Sequence, residues 1–201
     1  MNYLAHLCLS DGSPDSITGN FLGDFVKGRP EGRYPDAVVR GIRLHRAVDA
    51  YTDAHPAVCR ATDRIDASRR RYAGIAVDMA FDHFLARRWA ETDTAGFDAL
   101  RRHAYAVLRA RAHRLPERLQ RILPSLTDDD WLGSYAALDG TVFALRRMSR
   151  RLSRPNALAD TGIDIERAYR ALQADFEAFW PDARAFAVAE NRRLARRLPG
   201  A

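Results

Sequence analysis

The feature that most constrains this chain is the run at residues 72–85, YAGIAVDMAFDHFL, which has helical length and almost no polar face. Residues 72–77, 79–81 and 84–86 are nearly all apolar or small, so a helix here must be buried on almost every side. Asp78 and Asp82 interrupt it at i, i+4, on a face shared with Ile75 and Leu85. Two carboxylates side by side in a core repel each other and lose their hydration, so a cation has to sit with them. A metal ion can be that cation, and so can Arg43 or Arg46 of the preceding helix. His83 points about 100° away from Asp82. It joins the same site only if that site lies between the two faces; otherwise it is a hydrogen-bonded core histidine.

The remaining segments also read as helices, and alternating strand patterns are scarce. Residues 2–9 begin a short helix. Asp15 or Ser16 caps a second through residues 17–27, stopped by Gly28 and Pro30. After a linker at 29–34, Pro35 opens a long helix. Pro56 ends that helix or starts the next, which runs to about residue 66. Helices follow at 70–91 and 94–111, and Pro116 and Pro124 bracket a shorter piece. TDDDW at 127–131 reads as a capped helix start with acidic first-turn residues. Helices at 135–152, 165–180 and 181–198 complete the set, with a loop around Pro155 and Gly162. No repeat or obvious linker divides the chain, so the expected architecture is all-α, one compact helical bundle over residues 1–201.

Residues 41–56, GIRLHRAVDAYTDAHP, carry His45, Asp49 and Asp53 at successive spacings of four, on one slowly rotating stripe. Leu44, Val48 and Tyr51 fall on the neighbouring, packed sector. An imidazole and two carboxylates thus stand beside a buried face instead of opposite it. An exposed helix with an Arg46–Asp49 or Arg46–Asp53 ion pair is the alternative. Two further candidates lie earlier. His6 sits in the apolar run NYLAHLCL, and Asp24 lies between Leu22 and Phe25 on a segment hemmed by Gly19, Gly23 and Gly28. Asp24 with Lys27 can also form a plain i, i+3 salt bridge. His6, Asp24, His45, Asp78, Asp82 and His83 together make a mixed imidazole–carboxylate set suited to Mn, Fe, Mg or Zn. Cys8 and Cys59 show no metal spacing. There is no Gly-rich P-loop, no GxSxG elbow, and no histidine paired to a serine.

Four stretches, MNYLAHL, GNFLGDFVKG, GIRLHRAVDAYTDAHP and RRYAGIAVDMAFDHFLARRW, resemble those of the acyl carrier protein phosphodiesterases, as does LRRMSRRLSRP at 145–155. The resemblance runs from residue 1 to about 195. It implies a Mn-dependent hydrolase, with Mg or Fe as alternatives, that removes 4′-phosphopantetheine from holo acyl carrier protein. It also implies an HD-domain-like helical fold, because this family is regarded as a divergent branch of the HD phosphohydrolases. Gly23-Asp24-Phe25-Val26-Lys27 is similar to the HD stretch His-Asp-Ile-Gly-Lys, with Gly23 in place of the histidine. A displaced histidine must then compensate, and His45 is the candidate, with His6 as the early histidine and Asp82 as the late aspartate. Lys27 or Arg46 would stabilise phosphoryl charge, and Asp49 would orient His45 or act as a ligand itself. An HD-type nucleotide phosphohydrolase and a non-catalytic, arginine-rich helical binding module are the alternatives.

Charge bears on the partner. The formal net charge is +6, and Lys27 is the only lysine among 32 basic residues. Arginine suits bidentate capture of acidic groups. The resemblance makes the partner an acidic carrier protein, docked on a rim near the pocket, with Arg40 and Arg69–Arg71 as the candidates. Nucleic acid is not expected, because the arginine clusters are scattered and suit solvated helix faces. No run is long enough to span a membrane. With no signal-peptide pattern and only two cysteines, a cytoplasmic setting is expected.

Overall fold

A computed structural model describes residues 1–198. The last three residues of the expected 1–201 unit lie outside the described residues. The described chain folds into eleven α-helices with no β-strand, in agreement with the all-α expectation. In chain order they are α1 (Tyr3–Leu9), α2 (Pro14–Leu22), α3 (Asp36–Ala54), α4 (Pro56–Asp63), α5 (Ala73–Thr92), α6 (Thr94–Ala110), α7 (Glu117–Asp128), α8 (Trp131–Ser134), α9 (Leu138–Ser149), α10 (Thr161–Arg167) and α11 (Tyr169–Arg197). Short 3-10 turns at Ala67–Tyr72 and Ala112–Arg114 lead into α5 and away from α6. The buried apolar side chains form a contiguous cluster to which every one of these helices contributes.

Helix α5 is central, as its apolar run requires. It packs against α1, α4, α6, α9, α10 and α11, and Ala76, Val77, Met79, Ala80, Phe81 and Ala86 are buried. Ile75 departs from the expected burial and is 40% exposed. The packing that positions the site is that of α2 on α3. A Cβ built on Gly19 would lie 2.3 Å from the Val38 carbonyl oxygen and 2.7 Å from the Gly41 Cα, and one on Gly41 would lie 2.8 Å from the Gly19 Cα. Only two glycines facing each other let the backbones come this close.

Several helix ends differ from their expected places. Ser13, not Asp15 or Ser16, caps α2, accepting from the Ser16 N–H with Pro14 in the first turn. The helix ends at Leu22, so residues 23–28 form turns and Gly28 takes a φ of 72°. Asp24 therefore stands on a turn instead of a helix face. Thr127 lies inside α7, and Asp130, at a φ of 43°, is the residue that caps α8. Pro124 and Pro181 do not break α7 and α11. Each proline removes the bond to the carbonyl four residues back, and the two residues concerned, Gln120 and Glu177, are exposed, on the side of the helix that water reaches.

Two buried acids outside the site are neutralised by arginine. Asp164 accepts from Arg69 Nε at 2.6 Å and Arg69 Nη2 at 3.0 Å, and Arg167 lies 2.8 Å away. Asp175 accepts from Arg60 and Arg64 at 3.2 and 2.7 Å. This removes Arg69 from the expected docking rim, because its guanidinium is tied to a buried carboxylate. Arg70 is paired with Asp63, and Arg40 donates to the Leu198 carbonyl at 2.9 Å.

Gly41→Ala should destabilise the protein by about 1–3 kcal/mol, the usual cost of overpacking, because its new methyl meets rigid backbone. Chemical denaturation measures this. A stability equal to that of the parent would show that α2 and α3 can separate without cost.

Candidate functional site

One turn beyond the Gly19–Gly41 contact, α2 ends against His45. A Cβ on Gly23 would lie 2.2 Å from both Cγ and Cδ2 of the His45 ring. The imidazole therefore occupies the volume that a side chain at position 23 would fill. His45 is buried, and its Nε2 lies 3.3 Å from Asp24 Oδ1 and 3.1 Å from Asp49 Oδ2. His6, on α1, stacks on His45 with ring centroids 3.7 Å apart and reaches Asp49 Oδ1 through its Nε2 at 3.0 Å. Asp49 thus takes one histidine on each oxygen. Ligand atoms of His6, His45 and Asp49 lie within 4.8 Å of one another. Asp24 completes a four-residue group at the surface, its side chain 49% exposed.

Two contacts hold the frame. Asp82, fully buried on α5, accepts from the Leu4 and Ala5 N–H groups at 2.9 and 3.1 Å. These are first-turn donors of α1 with no partner inside that helix, and the Asn2 side chain does not cap them. Asp82 is therefore a tertiary cap that fixes α1, and His6 with it. Arg46, on α3, donates to the Val26 and Gly28 carbonyls and clamps the turn that carries Asp24.

The expected site residues separate into groups. His6, Asp24, His45 and Asp49 come together. Asp78 lies at the edge, its Oδ1 2.9 Å from the Met1 ammonium, which is 3.5 Å from Asp49 Oδ1. The cation beside Asp78 is thus this ammonium, not Arg43 or Arg46; Arg43 pairs with Glu31. Asp82 spends both oxygens on backbone N–H groups. His83 is not brought to the cluster: its ring nitrogens lie 2.8 Å from the Tyr135 carbonyl and 2.8 Å from the Tyr169 hydroxyl, the hydrogen-bonded core histidine of the alternative reading. Arg46 makes neither expected pair with Asp49 or Asp53. Lys27 is exposed and forms no ion pair with Asp24 among the described residues.

The electrostatics follow from this crowding. Burial disfavours charge on His45, but hydrogen bonds and charge from Asp24 and Asp49 outweigh it and raise the pKa to about 9. Burial lowers His6 to about 4, helped by the adjacent His45 charge and opposed by Asp49. The stacked pair therefore carries one positive charge near neutrality. For Asp49 and Asp24, burial acts upward, yet the histidines hold both below the usual carboxylate range. Burial pushes Asp82 up to about 7 against its two N–H donors. Two imidazoles and two ionised carboxylates, with one excess proton on His45, form a donor set that fits a borderline-hard divalent cation once that proton is lost.

Beside the cluster lies an open cleft of about 290 Å³ whose lining includes Met1, Asp24 and Asp78 together with Arg118 and Met148. Sequence reasoning missed Arg118 and Met148. They lie on α7 and α9, whose spacing carries no ligand pattern, and only the tertiary fold brings them to Asp24.

Two outcomes are expected. Gly23→Ala should push the His45 ring from its carboxylates while leaving the helices folded; its titration, followed by NMR, should fall from about 9 toward 6.5. An unchanged titration would mean that the ring is not confined by residue 23. For His83, burial lowers the folded pKa below 6.5. The native state then binds fewer protons than the unfolded chain, so the His83 contribution is complete above pH 6.5 and is lost as pH falls through the folded value. His83→Gln should cost about 1–3 kcal/mol at neutral pH and flatten that part of the acid slope. Urea denaturation at several pH values compares the two proteins; parallel slopes would remove His83 as the source.

The family model described as acyl carrier protein phosphodiesterase matches residues 1–183. A relative of that name from Photorhabdus laumondii is 40% identical over 182 residues, covering 90% of this chain and 92% of the relative. One from Yersinia pestis is 37% identical over 182 residues, covering 90% and 94%, and one from Enterobacter sp. is 35% identical over 195 residues, covering 96% and 100%. No solved structure matches. The chain belongs to the acyl carrier protein phosphodiesterase family.

Proposed function

We propose that this protein hydrolyses the phosphodiester joining 4′-phosphopantetheine to the serine of a holo acyl carrier protein, giving the apo form, with a divalent cation of the Mn, Mg or Fe class. The observation that carries this reading is the convergence of His6, His45, Asp49 and Asp24, the last of which lines an open cleft, in a chain of this family. His6, His45 and Asp49 would hold the cation, with Asp24 as a fourth ligand. Such a cation, when bound, supplies Lewis acidity to a phosphoryl oxygen and a lowered pKa to water.

The chain's own residues do the rest. Asp24 is ionised and half exposed on the cleft side, so it would hold the cation from the side that substrate approaches. Asp82 keeps α1 in register, so the His6 nitrogen stays aimed at Asp49. Arg46 fixes the Asp24 turn through backbone carbonyls, and this positioning task replaces the phosphoryl contact expected for it. Lys27, exposed three residues after Asp24, remains available to an anionic substrate. In this reading the bundle is a divergent HD-type fold, with His45 reaching in from α3 to the volume left by Gly23. A nucleotide substrate would favour an enclosed, aromatic-lined cavity; the space beside Asp24 is an open cleft.

Incubation of holo acyl carrier protein with this protein and Mn should lower the carrier's intact mass by that of the phosphopantetheinyl group. His45→Ala and Asp49→Ala should abolish this turnover and retain less Mn after dialysis, with helical content unchanged. A carrier protein of undiminished mass would sink the proposed reaction, and full activity in either variant would remove that residue from the site.

A further inference from the structure

The cleft beside the cluster has two unlike ends. Toward the histidines stand Asp24, Asp78 and the Met1 ammonium, and Arg118 of α7 shares the cleft with them. The Arg118 guanidinium lies over the Phe25 ring, 5.6 Å from its centroid, and has no acidic partner among the described residues. It is also close enough to the Tyr3 hydroxyl, as Asp24 is, to act on that group's ionisation. Most arginines around the fold's acids are engaged: Arg43, Arg60, Arg64, Arg69, Arg101 and Arg111 each face a carboxylate. A free guanidinium in the cleft that holds Asp24 is a ready contact for a phosphoryl oxygen.

The rest of the cleft is apolar. Tyr3, Phe25, Ile75, Met79 and Met148 line it, and the exposure of Ile75 on an otherwise buried helix is explained by this wall. Tyr3 is braced by stacking on Phe21 at 5.2 Å. The Asn2 amide in the same cleft donates to the Met79 thioether, a weak acceptor that a ligand carbonyl would readily replace. The cleft volume of about 290 Å³ lies just below the roughly 300–1,000 Å³ typical of small-molecule sites. That size suits a slender chain better than a broad ring system.

We propose that this cleft seats the pantetheine arm of the substrate, with Arg118 binding a phosphoryl oxygen beside Asp24 and the Ile75 and Met148 side chains packing along the arm. The proposal rests on the phosphodiesterase reading, and it adds the arm's location and a phosphate-binding residue. The phosphodiester anion meets Arg118, an amide of the arm meets Asn2, and the methyl-bearing and thiol-terminated parts meet methionine and aromatic surface, which adapts well to such groups.

Calorimetric titration of the Mn-loaded protein with 4′-phosphopantetheine, pantetheine and inorganic phosphate tests it without requiring turnover. Arg118→Ala should weaken 4′-phosphopantetheine about tenfold, Arg118→Lys should recover part of that loss, and pantetheine, which has no phosphate, should respond little. Met148→Trp and Ile75→Trp, which fill the cleft from α9 and α5, should each weaken both pantetheine ligands about tenfold and leave inorganic phosphate binding in place. Two such variants guard against one that fails to fold. Wild-type affinity for 4′-phosphopantetheine in both tryptophan variants or in Arg118→Ala overturns the proposal, and so does absence of binding to the parent protein. The intact-mass assay on the parent judges the reaction separately. Apo carrier formed by a parent whose variants bind normally sinks only the cleft, whereas variant-sensitive binding without hydrolysis sinks only the reaction.

Discussion

The contact on which the site depends is the glycine-to-glycine approach of α2 and α3. Gly19 and Gly41 bring the two backbones into van der Waals contact, and neither position has room for a Cβ. Residues one turn further along each helix repeat the arrangement with one change. Gly23 again presents no side chain, but its opposite number is His45, whose ring fills the space. A helix pair spaced by larger residues would leave His45 beside a side chain and Asp24 further off. Close packing in the fold is thus converted into a buried imidazole within 3.3 Å of a surface carboxylate. The same step places Asp49, one turn after His45, under both histidines.

A second constraint is the distribution of acids within a mostly apolar bundle. Each buried carboxylate has a different answer to its desolvation. Asp164 and Asp175 take arginines from neighbouring segments and tie α10 and α11 to the chain before α5. Asp82 takes backbone N–H groups, so its charge is met by the first turn of α1, where the helix dipole also favours an anion. Asp49 takes two imidazoles. Only at that last site are the partners imidazoles, which can lose their charge at a pH where arginine cannot.

Much of this was legible in the sequence, for reasons of range. The i, i+4 spacing of His45 and Asp49 is a local property of one helix, and it survives folding unchanged. The apolar run of α5 also marked the central helix correctly. What the sequence did not reveal depends on partners far along the chain. Asp78 and Asp82 looked alike, yet Asp82 meets the N–H groups of Leu4 and Ala5 while Asp78 meets an ammonium. Arg69 looked like a free surface cation because Asp164 is ninety-five residues away. Pro124 and Pro181 looked like helix breaks because their cost depends on whether the released carbonyl reaches water, which is a matter of tertiary exposure. Asp24 was placed on a helix and stands on a turn, where the Arg46 clamp gives it a fixed direction.

The stacked histidines set the terms on which any cation enters. At a centroid separation of 3.7 Å, two imidazolium charges would repel strongly in a buried setting, so His45 keeps the proton and His6 stays neutral. That proton sits between Asp24 and Asp49, where a positive charge is most stabilised. A divalent cation held by the same atoms must displace it, because a protonated imidazole has no lone pair to give. If the proposed cation binds there, proton and metal compete for one position, and its affinity should rise with pH until His45 is neutral. The two carboxylates that raise the basicity of His45 are the same two that would share a cation with it once the proton is gone.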